Sequence, residues 1–252
     1  MKKVNWKTLL TGAVLMGLTA GIMLAQEMDK RIIAAAKKSY VFNTYLKGDD
    51  IQIQSQDGVV VLTGTVSAEP HLSLAADTVA DLPGVKSVDN RLEVKGGIPE
   101  RNSDAWIHMK LKTMLMLHLN LDSAHTEIEV KGGQVILRGE VSNQAEKELT
   151  AEYVRDVEGV KDVDNEMTVA RTPYERHRSV GEFIDDASIK SQIKLALLFH
   201  RGTNVFKTEI SVDRGVVTVS GAAHSAAEIE LVSKRIEDIH GVRKINNRMI
   251  IQ

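Results

Sequence analysis

The chain has 252 residues, and its 32 Lys and Arg residues are balanced by 34 Asp and Glu residues, so its formal net charge is −2. A near-neutral chain lacks the excess of positive charge that general nucleic-acid binding requires, so we expect no nucleic-acid partner. The chain contains no cysteine, which excludes disulfide bonds, thiolate metal sites and a lipid-modified cysteine at a mature N-terminus.

The first 25 residues have the pattern of an export segment. Lys2, Lys3 and Lys7 precede an uncharged, mostly apolar stretch over residues 8–25, and secretory signals place a basic region before an apolar one in this way. The apolar length lies on the border between a cleaved signal and a short membrane anchor. Cleavage after Ala25 would leave Met23, a large residue, three positions before the cut. We predict a periplasmic protein, released by a signal peptidase or anchored in the inner membrane by residues 8–25; a buried cytosolic helix is the third alternative.

Three glycines and one asparagine then recur three times with identical spacing. The three sets are Gly58, Gly64, Gly84 and Asn90; Gly133, Gly139, Gly159 and Asn165; and Gly215, Gly221, Gly241 and Asn247. Such self-similarity indicates one supersecondary unit present in three copies.

Each copy has the pattern helix, strand, strand, helix, strand. The first glycine belongs to a hairpin turn between alternating, β-branched strands, and the third glycine caps the end of the second helix. We therefore assign structural turn roles to all nine glycines. A short helical crossover should be right-handed and should place the last strand parallel to one hairpin strand. The asparagine amide should bond the backbone of the adjacent turn.

The predicted fold class is α+β, with three tandem small α/β sandwiches, each a mixed three-stranded sheet with two helices. The predicted domains cover residues 28–96, 103–171 and 183–252, after the export segment 1–25. Linkers at 96–103 and 171–181 join them, and the second is rich in basic residues. Domains this small bury a modest fraction of their surface, so we expect contacts between the copies.

These motifs resemble the BON domain, a family named for bacterial osmotically inducible and nodulation proteins. The resemblance rests on three motifs. The first is Gly-Val-Val-Thr-Val-Ser-Gly at 215–221, and the second is Gly-Val-Lys-x-Val-x-Asn at 84–90 and 159–165, which becomes Gly-Val-Arg-Lys-Ile-Asn-Asn at 241–247. The third is Asp-Ala-Trp-Ile-x-x-Lys at 104–110. The resemblance covers about residues 28–252. The first copy departs most, because its opening helix lacks the Asp-Ala start.

The resemblance implies a non-catalytic periplasmic or envelope module that binds phospholipid and supports membrane integrity under osmotic or envelope stress. In a two-domain envelope lipoprotein of the family, the first helix of the second domain contacts lipid from its tryptophan onward, and Trp106 matches that position. This chain departs from that protein because it has no cysteine for acylation and has a third domain.

The residues of that helix also suggest a binding surface. Its core face should contain Ile107, Leu111, Met114 and Leu115. A second stripe consists of Trp106, Met109, Thr113 and Met116, and Lys110 and Lys112 flank it. We predict lipid or partner binding by Trp106, Met109, Lys110, Lys112 and Met116, with an anionic phospholipid surface as partner. Packing of the stripe against a neighbouring repeat and binding to envelope proteins, as an adaptor or chaperone-like module, are the alternatives.

The sequence favours no catalytic or metal site. No histidine recurs at the same position of all three repeats, and the phosphate loops, nucleophile elbows and dinucleotide motifs of common enzymes are missing. His118 and His125 would share a metal only with a third ligand, so surface roles are favoured. We therefore expect no enzyme, no cofactor and no metal.

Overall fold

The computed structural model describes residues 23–118, 121, 125–170, 184–199 and 208–252. Residues 1–22 of the predicted export segment and the predicted linker 171–181 lie outside the described residues. Residues 23–38 form helix α1, which runs through the predicted cleavage position after Ala25.

Each repeat has the predicted order of helix, strand, strand, helix and strand. The elements of repeat 1 are α1, a short helix α2 (Tyr40–Thr44), β1 (Asp50–Gln56), β2 (Val59–Val66), α3 (Glu69–Ala80) and β3 (Ser87–Val94). Those of repeat 2 are α4 (Asp104–Leu117), β4 (Thr126–Lys131), β5 (Gln134–Val141), α5 (Gln144–Arg155), β6 (Asp162–Asn165) and β7 (Thr168–Val169). Those of repeat 3 are α6 (Asp186–Phe199), β8 (Thr208–Asp213), β9 (Val216–Ala223), α7 (Ala226–Glu237) and β10 (Lys244–Ile251).

The second hairpin strand is central in every sheet. In repeat 1, β2 pairs antiparallel with β1 and parallel with β3, and the same pattern holds in repeats 2 and 3. The predicted α+β fold with a parallel last strand is confirmed. Because side chains alternate across a strand, Val60, Leu62 and Val66 of β2 are buried, and they join the helices in the core.

The second glycine of each set lies inside the second hairpin strand, so the predicted turn role is wrong for Gly64, Gly139 and Gly221. At Gly64 and Gly139, glycine is required by a close approach of two backbones. A Cβ atom on Gly64 would lie 2.0 Å from the carbonyl oxygen of Asp50, and one on Gly139 would lie 1.9 Å from that of His125. Both glycines have positive φ, 115° and 129°. The space that a side chain would need is therefore occupied by the first hairpin strand.

The third glycine of each set lies at positive φ three residues after the C-cap of the second helix, which is Asp81, Asp156 or Asp238, so the predicted role of this glycine as the helix cap is wrong. The glycine contacts the first helix instead. A Cβ atom on Gly84, Gly159 or Gly241 would lie 2.8 Å from Met28, Ile107 or Ile189, respectively. These glycines therefore let the two helices of a repeat approach each other over the sheet.

The recurring asparagines join the last strand to the second helix. The side-chain amides of Asn90, Asn165 and Asn247 donate to the carbonyls of Leu72, Lys147 and Ile229 at 3.0, 2.7 and 3.0 Å, respectively. The partner is thus the preceding helix of the same repeat, and the predicted bond to the adjacent turn is wrong. Packing of helix on strand brings that carbonyl within reach of the amide.

An aspartate near the start of each first helix binds the hairpin turn. Asp104 accepts hydrogen bonds from the N–H groups of Gly132 and Gly133 at 2.8 and 3.0 Å, and Asp29 and Asp186 make the same pair of bonds in repeats 1 and 3. The Ser55 hydroxyl and these N–H groups lower the pKa of Asp29, because hydrogen bonds to the ionised carboxylate stabilise it.

Helix α6 of repeat 3 lies between the other two repeats. Ser188, Ser191 and Gln192 on α6 are fully buried, because they bond to repeat 1 at the Val41 N–H, the Thr78 hydroxyl and the Tyr45 hydroxyl. Two ion pairs, Lys190 with Asp81 and Lys194 with Asp77, lie at the same interface. The expected contact between copies is therefore present, and it includes buried hydrogen bonds and ion pairs.

Repeat 2 contacts repeat 3 through a second cluster. Arg235 on α7 is 1% exposed, forms an ion pair with Asp156 and stacks over the ring of Tyr153 at 3.9 Å. Tyr153 donates to Asp238. The chain thus contains a buried charged group where α5 meets α7.

Candidate functional site

Helix α4 begins at a serine cap and has the predicted core face. The Ser103 hydroxyl accepts a hydrogen bond from the N–H of Trp106 at 3.2 Å, which is a favourable N-terminal cap. The four predicted core residues, Ile107, Leu111, Met114 and Leu115, are all at most 1% exposed. The helical periodicity therefore assigned this face correctly.

The second face of α4 is not the exposed stripe that the sequence suggested. Trp106 and Lys110 are 7% and 6% exposed, respectively, Met109 and Met116 are half-buried, and Lys112 is exposed. The expectation of a solvent-facing stripe is wrong for Trp106 and for Thr113, which is 4% exposed, and Lys110, which flanks the stripe, is buried as well. Repeats 1 and 3 lie beside Trp106 and Lys110, so packing between repeats, the alternative interpretation, describes these two residues.

That packing leaves an open space, which we call the α4 cleft. Its volume is about 580 Å³, and residues of all three repeats and of the linker 96–103 line it. The lining residues are Glu69, Pro70, Leu72, Ser73, Ile98, Pro99, Arg101, Trp106, Met109, Lys110, Glu158, Leu195, Leu198 and Phe199. Of the predicted site residues, the cleft brings together Trp106, Met109 and Lys110, whereas Lys112 and Met116 lie outside its lining.

The charged groups of the α4 cleft form a small network. Lys110 Nζ lies 3.2 Å from Glu158 Oε2, and Arg101 Nη2 lies 2.7 Å from Glu158 Oε1. Lys110 Nζ also lies 3.9 Å from the ring centroid of Trp106 and 5.1 Å from that of Phe199. Burial lowers the pKa of Lys110, and Glu158 opposes this effect. The bond from Arg101 lowers the pKa of Glu158.

Sequence reasoning missed Glu158, although the repeat contained a signal for it. Gly159 lies against Ile107 and Trp106, so the residue before this glycine lies beside the first helix. The equivalent residues are Pro83 in repeat 1 and His240 in repeat 3, and repeat 2 alone has an acid there. Alignment of the three copies would therefore have placed a carboxylate near Lys110. Leu195, Leu198 and Phe199 line the cleft only because repeat 3 packs beside α4, and no pattern within one repeat predicts that packing.

The remaining titratable groups form no metal centre in the part of the chain that the structure describes. His118 is buried against Tyr153, with ring centroids 4.2 Å apart, so the predicted surface position of His118 is wrong. His71 of α3 lies 2.5 Å from Asp49, the residue before β1, and links this segment to the second helix of repeat 1.

A model of the BON domain matches the chain over residues 28–96, 103–171 and 185–252. The chain belongs to the BON-domain family. This BON-domain protein therefore consists of three tandem copies, as the motifs suggested. In the described residues from 23 onward, no helix combines the length and the apolar character needed to cross a bilayer.

Three relatives have partial sequence similarity to this BON-domain protein. Osmotically-inducible protein Y of Escherichia coli (strain K12) is 28% identical over 143 residues, which are 55% of this chain and 71% of that protein. An uncharacterized protein of Anaplasma centrale is 31% identical over 56% of this chain and 90% of its own length. A 21 kDa hemolysin of Actinobacillus pleuropneumoniae is 26% identical over 45% of this chain and 59% of its own length.

Proposed function

We propose that this BON-domain protein is an exported, non-catalytic envelope protein that binds phospholipid through α4 and supports membrane integrity under osmotic stress. The observation that carries the proposal is the α4 cleft. There Trp106 and Met109 contribute apolar surface beside Lys110 and Arg101, two cations that share Glu158. Apolar surface next to a cation suits a molecule with an acyl chain and an anionic head group.

Two further observations support an envelope role under osmotic stress. The basic and then apolar order of residues 1–25 is typical of export, which favours the periplasm. The similarity to osmotically-inducible protein Y favours a role in the response to osmotic change. None of the three relatives has the name of an enzyme, in keeping with a binding role.

The proposed partner is an anionic phospholipid surface. Lys112 is exposed on α4 and would contact phosphate groups there, while Met109 and Met116 would contribute half-buried apolar surface. Attraction of basic residues to an anionic membrane falls as ionic strength rises. Binding should therefore be stronger to anionic than to zwitterionic vesicles and should weaken with added salt.

Co-sedimentation with vesicles tests this function. The chain from Gln26 onward is used, so that the apolar N-terminal segment does not itself bind lipid. Wild type should pellet with anionic vesicles, and Met109→Ser should bind about fivefold more weakly, because about 1 kcal/mol of apolar contact is lost.

Ile251→Ser is the matched control, because Ile251 is apolar and 59% exposed but does not line the α4 cleft. It should bind vesicles like wild type. Failure of wild type to pellet, or equal losses in the two variants, would contradict a lipid-binding role for α4.

A further inference from the structure

The α4 cleft has the size and the walls of a small-molecule site. Ligand pockets usually measure about 300–1,000 Å³, and the cleft, at about 580 Å³, lies within this range. Nine of its fourteen lining residues are apolar, so its walls suit a hydrocarbon chain. The cleft is open to solvent beside Ile98 and Leu198, which are 55% and 47% exposed. One amphiphile molecule fits in a space of this size.

Lys110 offers unused hydrogen-bond donors to an anion, in a cleft whose two cations, Lys110 and Arg101, are balanced by Glu69 and Glu158. Its ammonium group has three N–H donors, yet among the described residues it has a single hydrogen-bond acceptor, Glu158. Glu158 is shared with Arg101. The other close groups are the rings of Trp106 and Phe199. A cation that is 6% exposed and has unused donors is stabilised by an anion that enters with its own apolar body.

The equivalent face of repeat 3 shows that packing alone does not require this arrangement. When Gly159 is aligned with Gly241, Gln192 occupies the position of Lys110, and Ser188 that of Trp106. Gln192 bonds to the Tyr45 hydroxyl, and Ser188 accepts from the Val41 N–H, so repeat 1 covers that face. In repeat 2 an aromatic residue and a cation line an open cleft instead.

We propose that the α4 cleft binds one molecule of an anionic single-chain amphiphile. The acyl chain lies along Trp106, Met109 and Leu198, and the carboxylate or phosphate of the head group binds Lys110, with Arg101 at the entrance. This proposal rests on the lipid-binding function given above and specifies its form as one lipid molecule enclosed between the repeats.

Titration of the full chain with monomeric amphiphiles tests this proposal. In a Trp6→Phe background, Trp106 is the sole tryptophan, and its fluorescence reports binding. The probes are dodecanoate, a lysophosphatidylglycerol with a twelve-carbon chain, and dodecyl maltoside as an uncharged control, each below its critical micelle concentration. We expect saturable one-to-one binding of at least one anionic probe, about tenfold or more tighter than that of dodecyl maltoside. Stronger binding of the carboxylate or of the phosphate probe identifies the preferred head group.

Lys110→Met keeps an unbranched apolar stem, shorter by the terminal nitrogen, and removes the charge. It should weaken binding of the anionic probes about tenfold and leave dodecyl maltoside unaffected. The control Lys131→Met removes an exposed lysine of β4 and should bind like wild type. Absence of saturation, equal affinity for the uncharged probe, or equal losses in the two lysine variants would overturn the proposal.

The two proposals fail separately. If wild type binds monomeric amphiphile but ignores vesicles, the cleft proposal stands and the membrane function fails. If wild type pellets with vesicles but binds no monomer, the membrane function stands and the cleft proposal is overturned.

Discussion

Replacing Gly64 by alanine should destabilise repeat 1 by about 4 kcal/mol, since strain at positive φ and overlap with packed atoms each cost about 1–3 kcal/mol. Gly64 has φ of 115°, and its new Cβ would lie 2.0 Å from the carbonyl oxygen of Asp50. That oxygen belongs to backbone paired with β2, so the overlap is relieved only by moving β1. Urea unfolding followed by circular dichroism should show a clear fall in the transition midpoint.

Gly48→Ala is the matched control for this change. A Cβ on Gly48 would meet no atom within 4 Å, and alanine restricts the unfolded chain more than glycine does. This substitution should raise the free energy of unfolding by at most about 1 kcal/mol. If Gly64→Ala unfolds at the same urea concentration as wild type, the described pairing of β1 with β2 is wrong.

Removing the carboxylate of Asp156 should have the second-largest effect on stability. Arg235 is 1% exposed and forms its ion pair with Asp156 across the junction of repeats 2 and 3. Asp156→Asn leaves the buried guanidinium without that charge. The side chain of Asp156 is 43% exposed, so we expect a loss of about 2 kcal/mol, below the 3–5 kcal/mol of a fully buried broken pair. Urea unfolding of the protein, followed by circular dichroism, measures this loss of stability.

Two further variants separate the effect of burying the Arg235 charge from the attraction between exposed opposite charges. Arg235→Met replaces the buried charge by an apolar side chain and should change stability by about 1 kcal/mol or less. Glu152→Gln removes an exposed ion pair with Lys234 across the same two helices and should cost under about 0.5 kcal/mol. Equal losses in Asp156→Asn and Glu152→Gln would show that the burial of Arg235 is without consequence.

The fold of each repeat was predictable because its glycines lie where backbones or helices touch. No side chain fits at Gly64 or at Gly84 without displacing Asp50 or Met28, so glycine recurs at fixed intervals. The aspartate that binds the hairpin turn was also accessible to sequence reasoning. Asp29, Asp104 and Asp186 all have the same spacing to the first glycine of their repeat.

The arrangement of the repeats was not predictable from the same patterns. Ser188, Ser191 and Gln192 are polar and resemble surface positions of α6, yet they are fully buried because their partners lie in repeat 1. In the same way, a stripe with Trp106 and Met109 is typical of a membrane contact and of a domain contact alike. Periodicity shows that a helix has a second apolar face, and only the neighbouring repeats determine what covers it.

Quenching of Trp106 fluorescence by a bromine-labelled fatty acid tests directly whether a lipid chain binds in the α4 cleft. In the Trp6→Phe chain, 11-bromoundecanoate and undecanoate are compared as monomers, because bromine quenches tryptophan fluorescence on contact. We expect saturable quenching by the brominated chain and little quenching by the unlabelled one. In Lys110→Met, quenching should require an about tenfold higher concentration. Fluorescence of Trp106 that stays unchanged up to the micellar concentration would contradict a lipid site in the α4 cleft.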